Sequence, residues 1–98
     1  MGNVKVEFDG HVFDSKRECS RYIQLRMLLV AGEITDLNLQ VPYELNEGGT
    51  HSLKYVADFV YIRNGSEVIE DSKGYKTVVY KKKRKLMLKL YGIEILET

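Results

Sequence analysis

A chain of 98 residues with 44% hydrophobic content can bury one core but not two, which excludes a second active domain and makes residues 1–98 a single domain. The opening MGNVKVEFDG carries charge where a signal peptide needs an apolar run, and no stretch approaches the roughly 18 apolar residues of a membrane span. A cytoplasmic protein is expected, in the host's cytoplasm if a phage encodes it. The lone cysteine, Cys19, excludes an internal disulfide and a cysteine-built zinc site, and it reads as a half-buried helix residue. The net charge of +1 conceals a separation: residues 1–72 hold seven basic and twelve acidic side chains, whereas residues 73–89 hold eight basic ones and no acid. Such a division favours a polyanionic partner meeting one face, although a solvated lysine-rich helix surface gives the same count.

Val4–Phe8 and His11–Phe13 flank Asp9-Gly10, a dipeptide that favours a tight turn, so the chain opens with a short β-hairpin. Asp14-Ser15 starts a helix. Ser15 and Glu18 have capping-box spacing, apolar residues recur at Cys19, Tyr22, Ile23, Met27 and Val30, and Gly32 stands as the stop. Leu37–Leu45 reads as a strand in which Pro42 demands an edge position or an irregularity. A loop follows at Glu47-Gly48-Gly49-Thr50. Two strands, LKYVADFVYI and EVIEDSK, are joined across Asn64-Gly65, the strongest short hairpin signal available. Lys76–Tyr91 reads as a second helix, with Val79, Leu86, Met87 and Leu90 on one face and Lys81, Lys85 and Lys89 on another. Gly92 ends it, and Ile93–Leu96 makes a final short strand.

With Asn64 and Gly65 as the two turn residues, Asp58 falls directly opposite Asp71. Strand alternation then places Asp71 and Lys73 on one side with Asp58, Val56, Val60 and Ile69, and places Ala57, Phe59, Tyr61 and Val68 on the other. Apolar residues on both faces make this hairpin central to the sheet. Carboxylates so opposed lie roughly 5 Å apart at Cβ and, at an effective dielectric of about 20, repel by about 3 kcal/mol. The Lys73 ammonium, a raised pKa on one acid or a bound divalent cation must offset that. All-oxygen ligands without histidine favour Mg²⁺, or Mn²⁺ in its place, over zinc. The competing arrangement is a shifted register, or carboxylates splayed into solvent as ordinary edge charges. His11 and His51 have no partner spacing, and the tyrosines within strands and helices read as core or rim residues.

Four motifs in order, Ser15-Lys16-Arg17-Glu18, Gln40-Val41-Pro42, Tyr55-Val56-Ala57-Asp58-Phe59 and Glu70-Asp71-Ser72-Lys73-Gly74, resemble the PD-(D/E)xK nuclease superfamily, in particular short phage-encoded domains and transposon-end endonucleases. The likeness spans roughly residues 10–97. It implies an α/β fold with a restriction-endonuclease-like core, α-β-β-β-α-β, in which helices flank a mixed central sheet; the order read from the residues agrees, with the N-terminal hairpin added. It implies Asp58 as the central metal ligand, Asp71 as the second carboxylate, the Ser72 carbonyl as a main-chain ligand, and Lys73 as the group that orients the attacking water or stabilises charge on the phosphate. Glu18 matches the helix-borne acid that completes the metal site, and Gln40 is an accessory group. Ala57 stands where the signature has proline, and Asp71 where Glu is commoner. Two roles compete with these: Glu18 as the capping-box acid, and Lys73 as the counter-ion of the aspartates.

The expected activity is Mg²⁺-dependent hydrolysis of DNA in phage-type recombination, repair or processing, with Lys76, Lys81, Lys85 and Lys89 following the phosphate backbone. So small a chain has little surface for reading a sequence, which favours selectivity for branched or junction structure. Cutting two strands calls for two active sites and hence a homodimer. No small-molecule cofactor and no membrane partner are expected. The rival readings are a nucleic-acid-binding accessory module that kept the fold without catalysis, and a structural phage protein in which the acidic hairpin is incidental.

Overall fold

Asp9 and Gly10 both adopt positive φ, 56° and 78°, the combination a type I′ turn requires, and they close β1 (Val6–Phe8) onto β2 (His11–Phe13). The computed structural model describes residues 4–46 and 53–98. The expected loop at Glu47–Thr50 and His51 lie outside them.

Helix α1 (Lys16–Val30) starts at Ser15, whose hydroxyl accepts from the Glu18 N–H. It ends before Gly32, held at φ 78° with its N–H donating to the Leu29 carbonyl. Strands β3 (Thr35–Glu44), β4 (Lys54–Arg63) and β5 (Ser66–Asp71) follow, then helix α2 (Val78–Tyr91) and strand β6 (Leu96–Glu97). The four strands form one sheet in the order β3-β4-β5-β6, antiparallel as far as β5, with β6 parallel to β5. The chain is therefore mixed α/β, a short hairpin followed by α-β-β-β-α-β. Pro42 sits on β3, an edge strand, the position in a sheet where a missing N–H is tolerated.

The helices cover opposite faces. Phe13, Cys19, Tyr22, Leu25, Ile34, Phe59 and Tyr61 form the core under α1, while Leu45, Tyr55, Ala57, Val60, Ile69, Tyr80, Met87 and Ile95 form the core under α2. Adjacent strand residues such as Val60 and Tyr61 thus feed different cores, as alternation demands. With apolar contacts on both sides, β4 and β5 are the central strands.

Several expected faces are corrected. Cys19 is buried rather than half buried, and in α1 the buried apolar stripe is Cys19, Tyr22 and Leu25, leaving Ile23, Met27 and Val30 exposed. A helix carrying apolar residues on two sides can bury only one against a single sheet. In α2 the anchors are Tyr80 and Met87, seven residues apart, with Leu86 partly buried, whereas Val79 and Leu90 face out. This helix begins at Val78 rather than Lys76, because the Thr77 hydroxyl caps it by accepting from the Tyr80 N–H. The last strand starts three residues later than expected. Gly92 and Ile93 donate back to the Leu88 and Met87 carbonyls to finish α2, and Ile95 is spent on the core.

Candidate functional site

The side chains of β3 and β4 change sides at one position. Leu37 and Leu39 pack under α1 but Val41 and Tyr43 under α2; across the ladder, Phe59 and Tyr61 pack under α1 but Tyr55 and Ala57 under α2. The register is the same on either side of the change, Leu39 pairing with Phe59 and Val41 with Ala57, so Gln40 and Asp58 stand opposite each other where the phase breaks. Gln40 holds φ at 54°, a left-handed conformation that costs a non-glycine residue free energy and concentrates at functional positions. Simple alternation groups Ala57 with Phe59. The backbone turn at Gln40 and Asp58 separates them.

The β4–β5 hairpin has the register expected from its turn. Asn64 and Gly65 adopt φ of 53° and 78°, and Arg63 pairs with Ser66, through to Phe59 with Glu70. Continued by one residue, this register sets Asp58 opposite Asp71, and each carboxyl shifts the titration of the other. On its other side β5 is tied down by the C-terminus: the Thr98 N–H donates to the Asp71 carbonyl and the Lys73 N–H to the Thr98 carbonyl. The acidic site is thus set on strands at the centre of the sheet.

Around these aspartates the other candidate residues converge. Gln40 Nε2 donates to Glu18 Oε2 at 3.1 Å and to Asp58 Oδ1 at 3.4 Å. The Ser72 N–H donates to Asp58 Oδ2 at 2.9 Å, and Lys73 Nζ lies 3.6 Å from Asp71 Oδ1. Glu18 divides its two oxygens: Oε1 accepts from the Asp14 N–H at 3.2 Å as a capping acid, while Oε2 faces the site through Gln40. The two roles weighed for Glu18 are compatible, because each uses its own oxygen.

Electrostatics follow from burial. Asp71 is fully buried, and desolvation together with the neighbouring Asp58 raises its pKa to about 7. Burial also raises Asp58, offset by the Ser72 N–H, and burial raises Glu18 as well. Burial and the neighbouring carboxyl thus favour the protonated form of Asp71, whereas Lys73 favours the ionised one. Asp71 Oδ1 and the Ser72 hydroxyl are buried with no hydrogen-bond partner. A buried carboxylate oxygen without a donor, in a set of hard oxygen ligands, suits a divalent cation such as Mg²⁺. Among the described residues, however, no three His, Cys, Asp or Glu side chains stand already arranged as a metal cage; Gln40 ties Glu18 to Asp58.

Three positioning interactions involve residues outside the candidate set. The Tyr55 hydroxyl donates to Asp71 Oδ2 at 2.7 Å. Tyr80 carries Lys73 Nζ 5.0 Å above its ring centroid, has the Arg84 guanidinium at 5.9 Å and donates its hydroxyl to Glu97. Glu70, the neighbour of Asp71, points the other way into the α1 side, where Arg21 grips it with Nε and with Nη2 at 3.1 Å and Tyr61 donates to it at 2.6 Å. Tyr55 could have been noticed within Tyr-x-x-Asp. Glu97 for Tyr80 and Arg21 for Glu70 come from distant elements that only the fold brings together. Of the basic residues, Lys81, Lys85 and Lys89 are exposed on α2, spread over about 12 Å of helix, and Lys76 lies 3.6 Å from Glu97. An open cleft lined by His11, Tyr22, Arg26, Asn38 and Gln40 adjoins the site on the α1 side.

Residues 2–95 match the family model described as "Protein of unknown function (DUF1064)", and the chain belongs to that family. No curated protein and no solved structure matches it. No helix among the described residues is long and apolar enough to cross a membrane.

Proposed function

We propose that the chain is a divalent-cation-dependent endodeoxyribonuclease of the PD-(D/E)xK kind, acting on DNA in phage-type recombination, repair or processing. The observation that carries this reading is the meeting of Asp58, Asp71, Lys73 and Glu18 at the phase break of the sheet, with a buried Asp71 oxygen left without a donor. Asp58, Asp71, the Ser72 carbonyl and Glu18 would hold Mg²⁺ or Mn²⁺, which supplies charge neutralisation on the phosphate and a more acidic water. The residues of the chain do the rest. Tyr55 and the Ser72 N–H fix the two carboxylates, and Gln40 orients Glu18. Lys73, held over the Tyr80 ring, presents a cation to the water or to charge developing on the phosphate. Exposed lysines on α2 bind the phosphate backbone. Cleavage of two strands by one small site calls for two copies.

A second reading, a nucleic-acid-binding module without catalysis, is favoured by one feature: Gln40 bridges two of the acids, and no three stand as a ready cage. Incubating the pure protein with linear, single-stranded, flap and four-way DNA in Mg²⁺ and in Mn²⁺ separates the two. Cleavage that disappears in Asp58→Asn supports the nuclease; binding without cleavage in either ion supports the module.

A further inference from the structure

The segment that leaves the site is apolar where solvent is nearest. Tyr75 is 82% exposed, Val78 83% and Val79 61%, although they lie immediately after Lys73 and at the start of α2. The Tyr75 Cα lies no more than about 7.6 Å from that of Lys73, two trans peptides away. Gly74 between them has open space beside it, and among the described residues Tyr75 is left largely uncovered. Neither core includes any of the three side chains. Exposed aromatic and β-branched side chains together are a cost to a small domain unless something covers them.

Charge decides what that partner is. Residues 73–89 carry eight basic side chains and no acid; Lys73 pairs with Asp71 and Lys76 and Arg84 with Glu97, while Lys81, Lys82 and Lys85 stand exposed on α2, so the segment that carries the apolar prominence favours a polyanion over a basic surface. Phosphates alone would be satisfied by the lysines. An aromatic ring between those lysines and the acidic site adds a surface that only a π-face can use, and the bases of DNA offer such faces once they are unpaired. In an intact duplex those faces are stacked, and only phosphates and groove edges remain accessible.

Resting on the nuclease reading, we propose that Tyr75, backed by Val78 and Val79, stacks on an unpaired nucleobase beside the phosphate held at the site, so that the protein selects DNA with a single-stranded segment at the cleavage point. Pairing of the strand removes the stack and leaves only the lysine contacts.

The test is binding in Ca²⁺ of two DNAs of equal length, one fully paired and one with an unpaired stretch, followed by fluorescence anisotropy. Tyr75→Ala should weaken binding to the unpaired substrate about tenfold, the loss of one base stack, and change duplex binding less than twofold. Tyr75→Phe should behave as the wild type, and Lys81→Ala should weaken both substrates alike. Equal effects of Tyr75→Ala on the two DNAs, or none, overturn the proposal. So does a Tyr75→Ala variant with normal DNA affinity that loses self-association in sedimentation, since the prominence is then a protein interface. If no DNA is cut in Mg²⁺ or Mn²⁺ while Tyr75→Ala still shows the selective loss, the nuclease reading falls and the stacking stands. If DNA is cut without that selectivity, the reverse holds.

Discussion

Tyr55 donates its hydroxyl to one oxygen of Asp71 at 2.7 Å, and the other oxygen of the same buried carboxyl accepts no hydrogen bond. Half of Asp71 is therefore held by the fold and half is open to the site. Tyr55→Phe removes the one side-chain donor to Asp71 among the described residues and leaves a buried acceptor unsatisfied, which should cost about 1–3 kcal/mol in urea denaturation. It should also raise the Asp71 pKa further, because the Tyr55 bond favours the ionised form. Carbonyl infrared spectroscopy of the carboxyl groups across a pH series checks the second effect; an unchanged titration would mean that Tyr55 does not govern Asp71.

Stability of the metal-free protein should depend on pH through Asp71. Its pKa is 3.8 ordinarily and about 7 in the fold, so the folded state holds the proton more tightly than the unfolded chain. The contribution is fully present below about pH 4 and is lost as pH rises through about 7. Glu97, lowered by its hydrogen bond from Tyr80, works in the opposite sense and loses its contribution as pH falls through its folded pKa. Urea midpoints in EDTA between pH 4 and 8 should therefore fall more steeply for the wild type than for Asp71→Asn. Parallel curves would remove Asp71 from the account.

Divalent cations should reverse that penalty. Binding to the native state alone raises the melting temperature by mass action, about 4–8 °C per kcal/mol for a domain of this size. Asp58→Asn should relieve the repulsion, melt higher in EDTA, and respond little to Mg²⁺ or Mn²⁺. Equal stabilisation of wild type and variant by the ion would place the cation elsewhere.

Chemistry and binding reside in different parts of the chain. Lys73→Ala should lose cleavage while keeping most DNA affinity, because one lysine is a small share of the phosphate contact. Lys81, Lys85 and Lys89 changed together to Ala should weaken binding and flatten its dependence on salt, each lost phosphate contact lowering the slope by about 0.9 on duplex DNA. Cleavage at saturating DNA should survive in that triple variant. Normal cutting by Lys73→Ala, or an unaltered salt slope in the triple variant, would refute the division.

The pair on the far side of β5 is structural. Arg21 is the counter-ion of Glu70, which is fully buried, so Arg21→Ala strands a charge and should cost about 3 kcal/mol or more in chemical denaturation. Glu70→Gln together with Arg21→Met should recover much of that loss, since the buried charge is then gone. Failure of the double variant to recover would show that Arg21 acts through packing.

Local geometry was legible in the chain because it depends on near neighbours. Asp9-Gly10 and Asn64-Gly65 adopt the positive φ values that make two-residue turns, and the second of them brings Asp58 opposite Asp71. Ser15 and Glu18 cap a helix, and Pro42 marks an edge strand. The motif order likewise indicated Glu18, Gln40, Asp58, Asp71 and Lys73 as one group, and they do converge. What only the tertiary structure decided is where each apolar side chain goes and how the acids are held. Alternation cannot foresee the phase break at Gln40 and Asp58, because it arises from a left-handed residue where the sheet passes from the α1 core to the α2 core. Apolar periodicity in α1 and α2 was compatible with more than one face, and the sheet selected Leu25 and Tyr80 over Met27 and Val79. The partners of Asp71, Glu70 and Lys73 lie 16, 49 and 7 residues away along the chain, so their contacts exist only after the sheet has closed; such long-range pairings are set by packing, which no local rule encodes.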